Sequence, residues 1–376
     1  RTISVKYRTC AAVVALFFTG IIPINPAISE ASEAKKKPDL PLESTTEKLT
    51  FETDEGTWVS LDVTADGSAI VFELLGDIYE IPMTGGAAKH ISSGLGYDSQ
   101  PRVSPDGQWI AFISDRDGSD NLWVMKRDGT DARKLSKNSY HRLVSPTWSP
   151  DSQYIVMTQS GKQVEFRMHH IDGGSGVTLV SNDEGNAADG VGAVFSPDGQ
   201  YIYYTTRPKN RNTFPAGQVA RFNVETGEIT MLTQGEGGGI RPAISPDGRT
   251  LVYLSRRETE TGIRVKDLVT GSDKMLKWPI QRDAQEIGRL PSRDYYPNYA
   301  FTPDGGALII HTGGKIQRIS LTDGSMQVIP FTASIDLDIG PDLNSPYRVE
   351  QGPVTASIIH SPAHSPDGKR IASSVL

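Results

Sequence analysis

Cysteine is almost missing: Cys10 is the only one in 376 residues. It precedes the first apolar run, whereas a lipid-bearing cysteine would follow such a run. A chain processed after that run has no thiol, which excludes disulfides and thiolate metal sites. Long helical periodicity is missing as well. No repeat described below holds a run of about ten residues with 3.6 spacing, which excludes helical solenoids. Excess positive charge is absent too. The formal charge is −7, which argues against nucleic acid or anionic lipid as partners. Catalytic signatures are equally scarce, with no His-Glu-x-x-His, no Gly-x-Ser-x-Gly elbow and no Walker-type Gly-Lys-Ser/Thr. What is abundant is turn chemistry, with 37 glycines and 24 prolines.

The chain opens on a basic stretch, Arg1, Lys6 and Arg8, then an apolar run over residues 11–24 (AAVVALFFTGIIPI). That run has signal-peptide length, and Ala27 and Ser29 place small side chains at −3 and −1 of a cleavage after Ser29. Residues 1–29 are therefore expected to be a signal peptide and the chain to be periplasmic or secreted. Losing the three cations takes the formal charge to −10. Residues 30–47 are charged, contain proline and lack apolar period, as expected of a flexible linker.

From residue 48 onward one phrase keeps returning. It runs Thr64 to Asp66-Gly67, Ser104 to Asp106-Gly107, Ser149 to Asp151-Ser152 and Ser196 to Asp198-Gly199. It continues with Ser245 to Asp247-Gly248, Thr302 to Asp304-Gly305 and Ser365 to Asp367-Gly368. Successive spacings are 40, 45, 47, 49, 57 and 63 residues. Proline presets the first corner, aspartate accepts local N–H bonds, and glycine takes the positive φ of a tight turn. These aspartates and glycines are structural turn anchors, and none is assigned a catalytic role. β-branched and aromatic strands follow the turns, as in WIAFIS (109–114) and YIYYT (201–205). Four strands per repeat of this length predict an all-β propeller of seven four-stranded blades over residues 48–376.

The segment KLTFE (48–52) matches a fourth strand but precedes the first complete repeat. It is expected to latch the ring by joining the last blade, which ends after its second strand at RIASSVL. An open strand edge there is a physical argument for chain beyond Leu376.

Other motifs carry little chemistry. His360 and His364 lie on a strand-and-turn segment, where one is expected near the inner surface and the other in a turn. His169 and His170 are adjacent and face opposite ways on a strand. The acidic loop from Asp115 to Asp120 lacks the calcium-loop order, with Gly118 fourth rather than sixth. Gly235 to Gly239 is not followed by a helix and is expected to link two blades. No catalytic, cofactor or metal residue is assigned. Two long inserts, from Gln281 to Arg293 and from Thr332 to Pro353, are expected to project from a face, where contacts concentrate.

The repeated turn and its following strand resemble the WD40-like repeat of TolB and tricorn propellers. More narrowly, Arg293 to Asp304 (RDYYPNYAFTPD), Gly313 to Arg318 and Ile329 to Thr332 resemble the N-terminal propeller of large exported amidohydrolases. That resemblance implies a non-catalytic binding or gating module, with a divalent metal only in a downstream barrel. It implies a partner that is either that catalytic domain or another protein on a propeller face. Two alternatives stay open: a free-standing TolB-like adaptor, and the propeller of a prolyl-oligopeptidase-like serine peptidase.

Overall fold

A computed structural model describes residues 47–138, 141–161, 164–181, 190–206, 217–285, 294–340, 352–353 and 357–375. The segment containing Ser29 and the linker up to residue 46 lie outside the described residues.

Six repeats complete a four-stranded antiparallel sheet, each running in order from an inner to an outer strand. Blade one uses Leu61–Val63, Ala69–Leu74, Asp77–Pro82 and Lys89–His90. Blade two uses Asp98–Val103, Trp109–Ser114, Asn121–Lys126 and Arg133–Lys134. Blade three uses Arg142–Trp148, Tyr154–Ser160, Val164–His170 and Gly173–Ser181. Blade four uses Val191–Phe195, Tyr201–Thr206, Gln218–Asn223 and Ile229–Met231. Blade five uses Ile240–Ile244, Thr250–Arg257, Glu260–Asp267 and Asp273–Lys277. Blade six uses Ala300–Phe301, Ala307–Thr312, Lys315–Ser320 and Met326–Val328.

The second strand of each blade is apolar on both faces because each face meets a different neighbour. In Ala69–Leu74, Val71 packs with Ile110, Phe112 and Met125 of blade two. Ile70 and Phe72 point the other way and pack with Ile309 and Ile316 of blade six. The remaining joints repeat the pattern, as where Val156 and Phe166 of blade three meet Ile202 and Tyr204 of blade four. Each such side chain, removed from water, contributes about 1.5–3 kcal/mol. Blade six also bonds to blade one: Leu61 N donates to Asn298 O at 3.2 Å, and Asn298 Nδ2 donates to Leu61 O at 2.6 Å. The six complete blades thus close on one another.

The seventh repeat contributes a two-stranded hairpin, Ile359–His364 with Ile371–Val375, whose residues are exposed. His360 and His364 both lie on it, so neither reaches an inner surface. The expected N-terminal latch forms with a different partner. Glu47–Thr53 pairs antiparallel with Phe331–Ile339, from Glu47 opposite Ile339 to Thr53 opposite Ala333. The second insert therefore begins as a strand and not as a projecting loop. Its alternation explains why: Phe331, Ala333 and Ile335 are buried against blade one, while Thr332, Ser334 and Asp336 are exposed. Met326–Val328 already fills the fourth position of blade six, so this extra strand is the edge available to the N-terminal segment.

Candidate functional site: a blind axial cup

The innermost strands carry the candidate site. In blades two to five this strand is bulged, between Ser99 and Arg102, Val144 and Thr147, Val191 and Val194, and Ile240 and Ala243. One residue in each bulge has a left-handed backbone: Gln100 at φ 54°, Ser145 at 58°, Gly192 at 67° and Arg241 at 52°. A bulge re-aims a side chain out of the strand's alternation. Such φ values are sparsely populated by residues other than glycine and cluster at functional places. Each of the four lies four residues before the serine that opens its turn. The same offset gives Ser60 in blade one and Asn298 in blade six.

These residues build a polar layer across the axis. Arg241 Nη1 donates to Asp294 Oδ2, and to Ser145 Oγ at 3.1 Å. Ser145 Oγ donates to the same carboxylate oxygen. Arg241 Nη2 donates to Asn298 Oδ1 at 2.7 Å, and Asn298 N donates to Ser60 Oγ at 2.9 Å. Gln100 Oε1 accepts from Ser145 N at 2.6 Å, while Gln100 N donates to the buried carboxylate of Glu73, also at 2.6 Å. Gly192 leaves room for the guanidinium, since a Cβ there would stand 3.1 Å from Arg241 Nη1. A buried ion pair of this kind needs its remaining hydrogen bonds satisfied, and Ser145 and Asn298 supply them.

Two residues further along the same strands, a cup of about 450 Å³ opens. Its volume falls within the range of ligand pockets. The wall is apolar, with Val103, Trp148, Val194, Phe195 and Phe301, and the rim holds the anchor prolines Pro105, Pro150, Pro197 and Pro246. Asp62 and Arg102 are its charged lining residues. Asp62 accepts from Val103 N and Val63 N at 3.0 Å each, and Arg102 Nε lies 3.7 Å from its Oδ2. Burial raises the carboxyl pKa of Asp62, opposed mainly by Arg102, and burial lowers that of Arg102. Arg102 Nη1 is buried without a hydrogen-bond partner among the described residues. A guanidinium donor in that state suits an incoming carboxylate.

The turns at the rim repeat one geometry. In blade four, Ser196 Oγ donates to Asp198 Oδ1 at 2.5 Å and accepts from Tyr201 N at 2.9 Å, while Gln200 N donates to Asp198 Oδ1 at 3.0 Å. The same three bonds recur at Asp66, Asp106, Asp151, Asp247, Asp304 and Asp367. The bond from the serine or threonine hydroxyl is the largest cause holding the carboxyls of Asp66, Asp151, Asp198, Asp247, Asp304 and Asp367 below the ordinary range. Anchor glycines 67, 107, 199, 248, 305 and 368 have φ between 67° and 73°. Ser152 holds the equivalent place at 59°, and its hydroxyl accepts from Asp106 N of the preceding blade at 3.1 Å.

The cup can hold a ligand but lacks the parts of a hydrolytic site. Its serines, Ser196 and Ser245, have their hydroxyls committed to Asp198 and Asp247. No histidine lines it to act as a base. Among the described residues no group of three His, Cys, Asp or Glu side chains is placed to hold a metal ion.

The sequence profile of the Tricorn protease N-terminal beta propeller domain matches residues 62–214. A TolB crystal structure from Acinetobacter baumannii superposes with a TM-score of 0.56 at 17% identity, over 73% of this chain and 65% of that one. The chain thus folds as a β-propeller similar to that of TolB. Among curated proteins, the propeller is 32% identical over 188 residues to the uncharacterized peptidase YuxL of Bacillus subtilis, covering 49% of this chain and 25% of the other. It is 25% identical over 265 residues to Tricorn protease homolog 1 of Streptomyces coelicolor, covering 69% and 23%. The chain thus spans about a quarter of the length of these curated relatives.

Within this propeller the sequence marks the rim but not the floor. The residues four before the Ser or Thr that opens each phrase are Ser60, Gln100, Ser145, Gly192, Arg241, Asn298 and Ser361, all polar or glycine. Aligning the seven phrases would have exposed that column. The first insert also returns to the axis, placing Asp294, Tyr295 and Tyr296 in buried positions; residues 286–293 lie outside the described set. The acidic loop of blade two is structural, with Asp115 Oδ1 accepting from Tyr97 N at 2.7 Å and Asp117 paired with Lys134.

Proposed function

We propose that this propeller is the non-catalytic binding and gating module of an exported, metal-dependent hydrolase of the amidohydrolase type. The observation that carries the binding role is the blind cup, with apolar walls, a free guanidinium donor on Arg102 and a floor closed by Arg241, Asp294 and Ser145. Such a cup accepts one apolar side chain beside a carboxylate, as in a short polypeptide segment from the hydrolase or its substrate. The closed floor makes the axis a stop and not a passage, so the module acts by holding a segment. The amidohydrolase assignment is supported by the likeness of residues 293–304, 313–318 and 329–332 to the propellers of that group. Export is supported by the basic, apolar and small-residue succession of residues 1–29.

A second reading, the propeller of a serine peptidase, is supported by the peptidase name of the Bacillus subtilis relative. The coding sequence after Leu376 separates the two: His-x-His after a strand supports the first, and a Gly-x-Ser-x-Gly elbow the second. The non-catalytic role is tested by incubating the 376-residue chain with amide and ester substrates, with and without divalent metal. No turnover is expected, and steady turnover proportional to protein overturns it.

A further inference from the structure

We propose that the groove between the outer strands of blades two and three binds a small molecule carrying an oxyanion, a phosphate or a carboxylate. The groove has a volume of about 740 Å³ and is lined by Lys134, Lys137, Arg167, His141 and His169, with no aspartate or glutamate among the described lining residues. That lining is cationic in a chain whose formal charge is −7, so it runs against the balance of the molecule.

Carboxylates outside the described lining pair with two of the cations, and Glu165 also accepts from the lining residue Gln159. Lys134 pairs with Asp117, and Arg167 Nη1 lies 3.4 Å from Glu165 Oε1. Arg167 Nη2 also donates to Ser175 O at 3.0 Å, which fixes the guanidinium beside the Gly173–Ser175 end of the hairpin. Lys137 is exposed and forms no ion pair among the described residues. It remains free to meet a ligand charge.

The second observation is His169. It is 3% exposed, and neither ring nitrogen has a hydrogen-bond partner among the described residues. Buried polar side chains are seldom left in that state. The register slips between Met168 and His170, so His169 stands at a bulge. Its ring lies against Gly176, where φ is 71° and a Cβ would approach Cε1 to 2.6 Å. Gly173 and Gly174, at φ 102° and 114°, complete a hairpin without side chains over the groove. Burial and Arg167 hold the imidazole pKa below its usual value, which keeps the ring neutral at pH 7. A neutral imidazole offers one N–H donor, and an oxyanion supplies the acceptor that this donor lacks. Cations with a neutral donor, in a wall free of carboxylates, favour charge-assisted bonds to oxygen.

The test is an NMR titration of the 376-residue chain with labelled histidine. Inorganic phosphate and malonate are added separately, against sodium chloride at matched ionic strength. A saturable shift of the His169 resonances with phosphate, malonate or both is expected, and the stronger titrant identifies the headgroup. Lys137→Glu, at an exposed position, is expected to weaken binding about tenfold while leaving thermal unfolding unchanged. His169→Gln is expected to weaken it as well. Shifts that merely follow chloride, or wild-type titration of Lys137→Glu, overturn the proposal.

Discussion

The Arg241 guanidinium is ion-paired with the Asp294 carboxylate on the propeller axis, and their side chains are only 6% and 3% exposed. This contact joins blade five to the insert before blade six, and Ser145 brings blade three into the same network. Removing either charge strands the other in a low-dielectric interior. Arg241→Met or Asp294→Ala is therefore expected to cost about 3–5 kcal/mol in urea unfolding. The double variant should cost less than the sum of the two.

Ring closure makes a separate prediction. Gly67 has φ 68°, and a Cβ there would stand 3.1 Å from Pro303 Cγ of blade six. Gly107 has a similar φ, 72°, but nothing lies within 4 Å of its added Cβ. Gly107→Ala should carry the left-handed penalty alone, about 1–2 kcal/mol. Gly67→Ala should cost measurably more, because the blade-one to blade-six joint must also shift. Equal changes in unfolding free energy would place the closure elsewhere.

Ser152 separates backbone strain from hydrogen bonding. Ser152→Gly relieves φ 59° but loses the bond from Asp106 N. The relief is about 1–2 kcal/mol and the lost bond about 0.5–1.5 kcal/mol, so stability should change little. Ser152→Ala loses the bond without relief and should cost about 1 kcal/mol. Thermal denaturation of the two variants reads the difference.

Acid should undo the turns together. The depressed carboxyls of Asp66, Asp151, Asp198, Asp247, Asp304 and Asp367 contribute stability that is fully present above their unfolded value, about 3.9. That contribution is lost as pH falls through the folded values, so unfolding free energy should drop below about pH 4. Asp247→Asn keeps an acceptor oxygen but no titrating charge, so the slope in that window should flatten. An unchanged slope would contradict the turn assignment.

The architecture was legible because its repeating turn is local chemistry: Ser196, Pro197, Asp198 and Gly199 specify their own geometry whatever surrounds them. The closing strand was harder to place. Phe331, Ala333 and Ile335 alternate with polar residues, yet the segment also holds Asp336 and Asp338 and was expected to be a loop. What decides its partners is tertiary, with no trace in local propensity: it pairs with Glu47–Thr53 on one side and parallel to Gly86–Ala87 of the first repeat on the other. The cup was not legible for a similar reason. Asp62, Arg102 and Phe301 come from different blades, and only ring closure brings them together.

On the proposed function, the axial cup holds an apolar side chain next to a carboxylate. Fluorescence polarisation with labelled peptides bearing an aliphatic or aromatic side chain and a free C-terminal carboxylate tests it most directly. The wild-type chain should bind them saturably. Val194→Trp, which fills the cup, and Arg102→Met, which removes the free donor, should each weaken binding about tenfold or more. Binding that is absent in the wild type, or unchanged in both variants, would contradict the account.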